Sequence, residues 1–182
     1  MSRLFAMATV AGCLVLGSCA TAPETPSERQ DLRADADQTL QEMKTRDPSL
    51  ASVLGDSVGY VMFPEIGKGG FLVGGAYGRG IVYEQGVPIG YAELNQAELG
   101  ALLGGESFSE LIIFSEQRPL DRLKEGKYEV GAQASATALT SGAAKAARFQ
   151  DGVAVMYMTR GGAMLDVSVS GQKINFQPFT AG

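Results

Sequence analysis

Three residues of this sequence combine a reactive side chain with neighbours suited to chemistry. Cys19 closes an uncharged run from Leu4 to Ala20 in which small residues crowd the end, and a cysteine so placed is a nucleophile for acylation. Lys68 sits within Gly67, Lys68, Gly69 and Gly70, where bare backbone N–H groups and an ammonium could cradle a lipid phosphate. Arg79 stands between Gly78 and Gly80 on the bulky side of an expected strand, where it could meet an anionic headgroup. Lys68 and Arg79 also have plainer readings, and the sequence favours these. No GxxxxGK[ST] or GxGxxG frame surrounds Lys68, so nucleotide binding has no support, and its plainer reading is a solvated turn lysine. Arg79 has Glu65, Glu84 and Glu93 as candidate partners.

Composition removes most other chemistry. The 182 residues contain no His and no Trp, and the two cysteines are Cys13 and Cys19. Catalytic triads that use His have no base, and a disulfide within the segment after Cys19 has no thiols. A zinc site would have to be built from carboxylates alone, which is uncommon. The chain therefore reads as non-enzymatic, with no catalytic residue, no cofactor and no metal ligand assigned. Fifteen basic against 20 acidic residues give a net charge of −5. That balance argues against nucleic acid as a partner, which needs clustered Lys and Arg. Any affinity for a bilayer is expected from apolar surface or a pocket rather than from overall charge.

The N-terminus reads as an address. Arg3 precedes an apolar run shorter than the ~20 residues of a membrane-spanning helix, and Thr21, Ala22, Pro23 and Glu24 follow it instead of a basic cluster. Leu16, Gly17, Ser18 and Cys19 resemble the bacterial lipobox, in which an aliphatic residue and two small ones precede the cysteine that receives diacylglycerol. Cys13, mid-run and without a polar tether behind it, is the weaker candidate. Residues 1–18 are then a lipoprotein signal peptide, residues 19–26 the acylated N-terminus and its tether, and residues 27–182 one domain. Ala20, where an Asp would signal inner-membrane retention, implies an outer-membrane protein facing the periplasm. The membrane is thus the expected partner, through the lipid anchor, with phospholipid as a possible ligand and any protein partner unknown.

The elements that must position these residues follow from periodicity and punctuation. Ser27 with Gln30 fits a capping box, and Leu32, Ala36, Leu40 and Met43 form the apolar stripe of a helix from about Glu28 to Arg46. Asp47 and Pro48 start a second helix with Leu50, Val53 and Leu54 inward and Gly55 at its end. Strands are expected over Val58–Phe63, ended by Pro64, then over Phe71–Tyr83 after the loop that holds Lys68, and over Val87–Leu94 after a turn at Gln85 and Gly86. Leu94–Gly105 is a helix candidate. Leu111–Phe114, Tyr128–Thr137, Val153–Met158, Met164–Val169 and Lys173–Phe179 complete the strands, with a helical turn or two over Pro119–Lys124. Gly74, Ala76, Gly78 and Gly80 leave one strand face almost bare, which implies close approach by another part of the fold. The fold class is mainly β within α+β: N-terminal amphipathic helices packed on a glycine-rich, strongly coiled antiparallel sheet, barrel-like or a sandwich.

Phe63 and Pro64, followed by Lys68, Gly70, Phe71, Gly74, Gly75, Gly78 and Gly80, resemble the signature of the SYLF-domain family. Glu110–Phe114, the small-residue strand Gly131–Thr137 and the ending GQKINFQP add to the likeness, which runs from about Asp31 to Phe179. The resemblance implies a lipid-binding module; eukaryotic members are described as binding phosphoinositides, and one yeast branch as binding actin. Where those members tend toward Gly-Leu-Phe-Ala-Gly, this chain has Gly162, Ala163, Met164, Leu165 and Asp166. The lipid contacts of those members are linked to basic N-terminal helix residues, whereas here Arg29, Arg33, Lys44 and Arg46 are offset by Glu28, Asp31, Asp35, Asp37 and Glu42. The expected function is a membrane-anchored periplasmic lipoprotein with a non-catalytic, lipid-binding SYLF-like module. The alternative is an envelope scaffolding or protein-interaction lipoprotein that takes no lipid into its fold.

Overall fold

The computed structural model describes residues 21–69, 73–99, 106–126, 128–131, 136–159 and 171–179. Cys19, Phe71 and the strand expected over Met164–Val169 lie outside them. Helix α1 (Pro26–Arg46) starts with a reciprocal cap two residues earlier than Ser27 and Gln30 suggest. Thr25 Oγ1 accepts from the Glu28 N–H at 3.2 Å, and Glu28 returns Oε2 to the Thr25 N–H at 3.0 Å. Pro26 occupies the first turn, where a missing N–H costs nothing. The helix buries Ala36, Thr39, Leu40 and Met43, and Leu32 packs partly against the same cluster.

Asp47 turns the chain into α2 (Ser49–Asp56), which buries Leu50 and Leu54 and runs through Gly55 instead of ending there. Asp47 is fully buried. Its Oδ1 accepts from the Ser49 N–H at 3.0 Å, the Ser49 hydroxyl at 2.7 Å and the Gly142 N–H at 3.1 Å, and its Oδ2 accepts from the Ala144 N–H at 2.7 Å. One carboxylate thus fixes the α1–α2 corner and caps the short helix α4 (Ala143–Ala146) from a distant part of the chain.

The strands are β1 (Gly59–Gly69), β2 (Val73–Glu84), β3 (Val87–Leu99), β4 (Glu106–Phe114), β5 (Tyr128–Glu129), β6 (Ala136–Ala138), β7 (Val153–Thr159) and β8 (Lys173–Pro178). They form one sheet in the order β5-β8-β3-β2-β1-β4-β7-β6, antiparallel except where β6 runs parallel to β7. Helix α3 (Gln117–Lys124) follows β4. Three expectations change. Pro64 does not end β1: the register slips between Met62 and Glu65, and this bulge accommodates a residue with no N–H to donate. Leu94–Leu99 is not helical but continues β3, paired with Val73–Gly78 of β2. The single strand expected over Tyr128–Thr137 is divided, with β5 and β6 at opposite edges of the sheet.

A chain that leaves one edge at Glu129 and joins the other at Ala136 can span at most about 25 Å, so the sheet must curl. Phe114 of β4 and Tyr128 of β5 stand five places apart in the strand order, yet their ring centroids are 5.7 Å apart. The result is a curled half-barrel. Its concave side is filled by Val61, Phe63, Phe108, Ile112, Phe114, Tyr128, Val155 and Ile174, with Leu120 and Leu123 of α3 against them. Its other side carries α1, α2 and α4 on Tyr60, Met62, Ile81, Tyr83, Leu111 and Met156. The bare face of β2 points into the trough. A Cβ at Gly80 would stand 2.8 Å from the Phe63 ring, and one at Gly78 would stand 2.7 Å from Ile66, so small residues there are what let β1 side chains lean across.

Candidate functional site

Lys68 does not occupy the setting expected of it, Arg79 does lie among acidic neighbours, and the fold does not bring the two together. Lys68 belongs to β1 rather than to a glycine loop, opposite Ala76 on β2 and Glu106 on β4. Among the described residues, Gly67 and Lys68 are paired with strands on both sides, so their backbone is committed to the ladder. Arg79 lies opposite Glu65 on β1 and Glu93 on β3, two of the three partners the sequence proposes. The third, Glu84, is engaged by Lys124 at 3.0 Å and by Gln117. Glu93 is itself buried and accepts from Asn95 at 2.9 Å and from the Tyr77 hydroxyl at 3.4 Å. Burial, then the Glu93 charge, pushes the Tyr77 phenol above its ordinary value. The Arg79 guanidinium stands 6.0 Å from the Tyr77 ring centroid, at the limit of a cation–π contact. Two carboxylates flank one guanidinium across this row of Glu65, Arg79 and Glu93, which leaves it acidic on balance and offers little to an anion.

A better-furnished cleft lies where the N-terminal segment meets the domain. Arg29 and Arg33, four residues apart on α1, share a helix face, and with Ala22, Tyr91, Gln177 and Phe179 they line a cleft of about 340 Å³. Arg33 stacks on Phe179 with its guanidinium carbon 4.0 Å from the ring centroid, and Tyr91 meets Phe179 edge-on at 4.8 Å. Arg29 donates through Nε to the Pro23 carbonyl at 2.8 Å, and the Ala22 N–H donates to Gln177 Oε1 at 3.0 Å. Two guanidinium groups beside two aromatic rings suit a phosphate attached to an apolar body. The sequence hides this cleft because its arginines alternate with acidic residues along the chain, and only the helical period separates them. The cleft on the far flank of α1 is acidic by contrast: Asp35, Glu42 and Glu65 line it, and its Arg46 is paired with Glu42 at 2.9 Å.

Residues 95–178, from the end of β3 through β8, match the family model described as Ysc84, Las17-binding protein actin regulator. That segment is therefore similar to the Ysc84 (SYLF) domain. No curated protein matches the chain. The SYLF segment supplies β4, α3, β5 to β8 and α4, together with Gln177 of the cleft, whereas Lys68, Arg79 and the arginines of α1 lie before it.

Within the SYLF segment the trough holds a polar pair that sequence reasoning missed. Gln172 Nε2 donates to Glu110 Oε2 at 3.0 Å, and both side chains are fully buried. Nearby, the Ser109 hydroxyl donates to the Pro64 carbonyl at 2.7 Å, at the β1 bulge. A signal was present: Glu110 interrupts the inward positions Phe108, Ile112 and Phe114. A carboxylate there must find partners inside the fold, and Gln172 is one. Among the described residues no group of His, Cys, Asp and Glu is arranged to hold a metal ion, and no helix is long and apolar enough to cross a membrane.

Proposed function

We propose that this chain is a lipoprotein of the bacterial envelope, acylated at Cys19 and held on the periplasmic face of the outer membrane. Its Ysc84 (SYLF) fold engages phospholipid headgroups and catalyses no reaction. The observation that carries this reading is the cleft of Arg29, Arg33, Tyr91, Gln177 and Phe179, because it opens beside Thr21 and Ala22, two residues after the cysteine that would carry the lipid. Headgroup phosphates would be abundant at that point of the chain. The domain is acidic overall, so a local basic cleft, rather than global attraction, is what would draw a phosphate.

Two measurements test the proposal. Intact-mass analysis of protein from a bacterial envelope should show loss of residues 1–18 and a diacylglycerol adduct on Cys19; an unmodified Cys19 rejects the anchor. Flotation of the unacylated chain from Ala20 onward should show weak binding to vesicles of phosphatidylglycerol and less to phosphatidylcholine, reduced by Arg33→Ala. Absence of binding to both would leave the scaffolding alternative.

A further inference from the structure

The segment behind Cys19 does not behave as a spacer. Thr21 and Ala22 are 9% and 3% exposed, and Pro23 is buried as well. Ala22 is tied to β8 through Gln177, and Pro23 is tied to α1 through Arg29. Ala20 alone separates Cys19 from this docked stretch, which leaves a free reach of about 7 Å at ~3.5 Å per residue. The polar layer on each side of a bilayer is roughly 5–8 Å thick, so an acylated Cys19 at its inner boundary puts Thr21 no farther out than its outer one. A domain anchored so closely would have little room to swing.

We propose that Thr21–Pro23 is a latch that orients the domain, setting the N-terminal end of α1 and the adjoining end of β8 against the headgroup layer. This rests on acylation of Cys19, the reading proposed above, and adds which surface meets the membrane. The partner is the headgroup layer of a phospholipid bilayer. Charge agrees with the placement: Arg29 and Arg33 flank the latch, whereas the cleft of Asp35, Glu42 and Glu65 lies along the later turns of α1. Phe179, half-buried between Arg33 and Tyr91, closes the latch end of the cleft. Helix α4, joined through Asp47 to the far end of α1, is carried away from the bilayer, since Arg29 and Asp47 are about 27 Å apart along a helix rising ~1.5 Å per residue.

The experiment uses the full acylated protein in vesicles of phosphatidylethanolamine and phosphatidylglycerol that contain a headgroup spin-labelled lipid. Apart from Cys13 and Cys19 the chain has no thiol, so Gln30→Cys on the first turns of α1 and Lys145→Cys on α4, both at exposed positions, can each carry one fluorophore. Quenching at position 30 should exceed that at position 145 several-fold. Inserting about ten Gly and Ser residues between Ala20 and Thr21 adds roughly 18 Å of flexible reach without touching the described fold, and the ratio should fall toward one. Equal quenching at both positions in the parent overturns the latch, and so does a ratio that survives the insertion, which would show that the surface orients itself. Intact mass is read first on the same sample. An unacylated Cys19 removes the anchoring reading, whereas acylated protein with equal quenching removes the latch alone.

Discussion

Asp47→Asn should destabilise the domain by about 2–4 kcal/mol. Asp47 is fully buried and receives four hydrogen bonds, from the Ser49 N–H and hydroxyl, the Gly142 N–H and the Ala144 N–H. Both carboxylate oxygens act only as acceptors. Asparagine keeps the shape but offers one oxygen, and its NH₂ must then face an N–H donor. Hydrogen bonds to a charged group contribute about 1.5–3 kcal/mol each, and an unsatisfied buried donor costs ~1–3 kcal/mol. The sum over four is not reached, because α4 is one turn long and can fray until water meets its free N–H groups. For a domain of this size the loss corresponds to a melting temperature lower by roughly 5–15 °C. Urea unfolding followed by circular dichroism measures it. A change within about 0.5 kcal/mol of the parent would refute the account of Asp47 as the tie between the α1–α2 corner and α4.

The same group gives a pH signature. Burial pushes the Asp47 carboxyl up, but the Ala144 N–H, the Ser49 hydroxyl and N–H and the Gly142 N–H together outweigh it and hold the carboxyl below its ordinary value. A depressed native pKa stabilises the fold above the unfolded-state value of about 4 and is lost as pH falls through the native value. The stability gap between parent and Asp47→Asn should therefore be full near neutrality and should close below about pH 4. A gap that stays constant down to acid unfolding would mean that the effect comes from packing alone.

Gly80→Val should cost about 1–3 kcal/mol by overpacking, since its Cβ would lie 2.5 Å from the Met62 carbonyl and 2.8 Å from the Phe63 ring; Gly67→Ala on β1, with nothing within 4 Å, should be close to neutral in the same thermal melt. Tyr83→Phe removes the 2.7 Å bond to Asp37 and should cost about 0.5–1.5 kcal/mol in chemical denaturation. Burial and the Asp37 bond push the Tyr83 phenol far above its ordinary value, so absorbance titration should find it un-ionised for as long as the fold survives. Glu84→Gln weakens the Lys124 pair at the protein surface and should cost under about 1 kcal/mol, by an amount that shrinks as salt is raised.

The parts of the fold legible in sequence were those governed by local pattern. The stripe of Ala36, Leu40 and Met43, the turn at Gln85 and Gly86, and the strands around Val61, Ile112 and Val155 all follow from period and punctuation. Legibility ended where pairing over distance decides. Asn95, Gln96 and Glu98 look helical by composition, but β2 draws them into the sheet, and its glycines give the sequence no apolar face to advertise the pairing. Pro64 looks like a terminator until the bulge supplies a place for it. The alternation over Tyr128–Thr137 is real at both ends, yet one end joins β8 and the other β7. Of the candidate sites, Arg79 was correctly given its acidic neighbours, Lys68 was misplaced into a loop, and Cys19 lies outside the described residues. Arg29 and Arg33 were visible but discounted, because charge counted along the chain does not show which face of a helix receives it.

The filled trough constrains how such a protein could use lipid. A half-barrel suggests a lumen, but here Phe63, Phe108, Phe114 and Tyr128 occupy the concave side, and the two clefts along α1 are lined largely by polar groups. Exposed large apolar side chains among the described residues are Tyr77, Val87 and Phe149, on β2, at the start of β3 and in the loop before β7. Separated in this way, they form no apolar patch on which a bilayer would hold the domain. Apolar attachment, expected from the acidic composition, thus falls to the acyl chains of Cys19 on the proposed reading, at about 0.8 kcal/mol per buried CH₂. Residence on the membrane then needs nothing from the domain. On the same proposed reading, a tether reaching about 7 Å would hold the cleft among headgroups at an effective concentration in the millimolar range or above, so Arg29 and Arg33 could act through affinities too weak to recruit a free domain. Mutating them in the acylated protein should leave membrane attachment unchanged while altering which lipids lie beside it, measurable by crosslinking from a photoreactive group at position 30. Loss of attachment would show that the cleft, not the anchor, holds the protein in place.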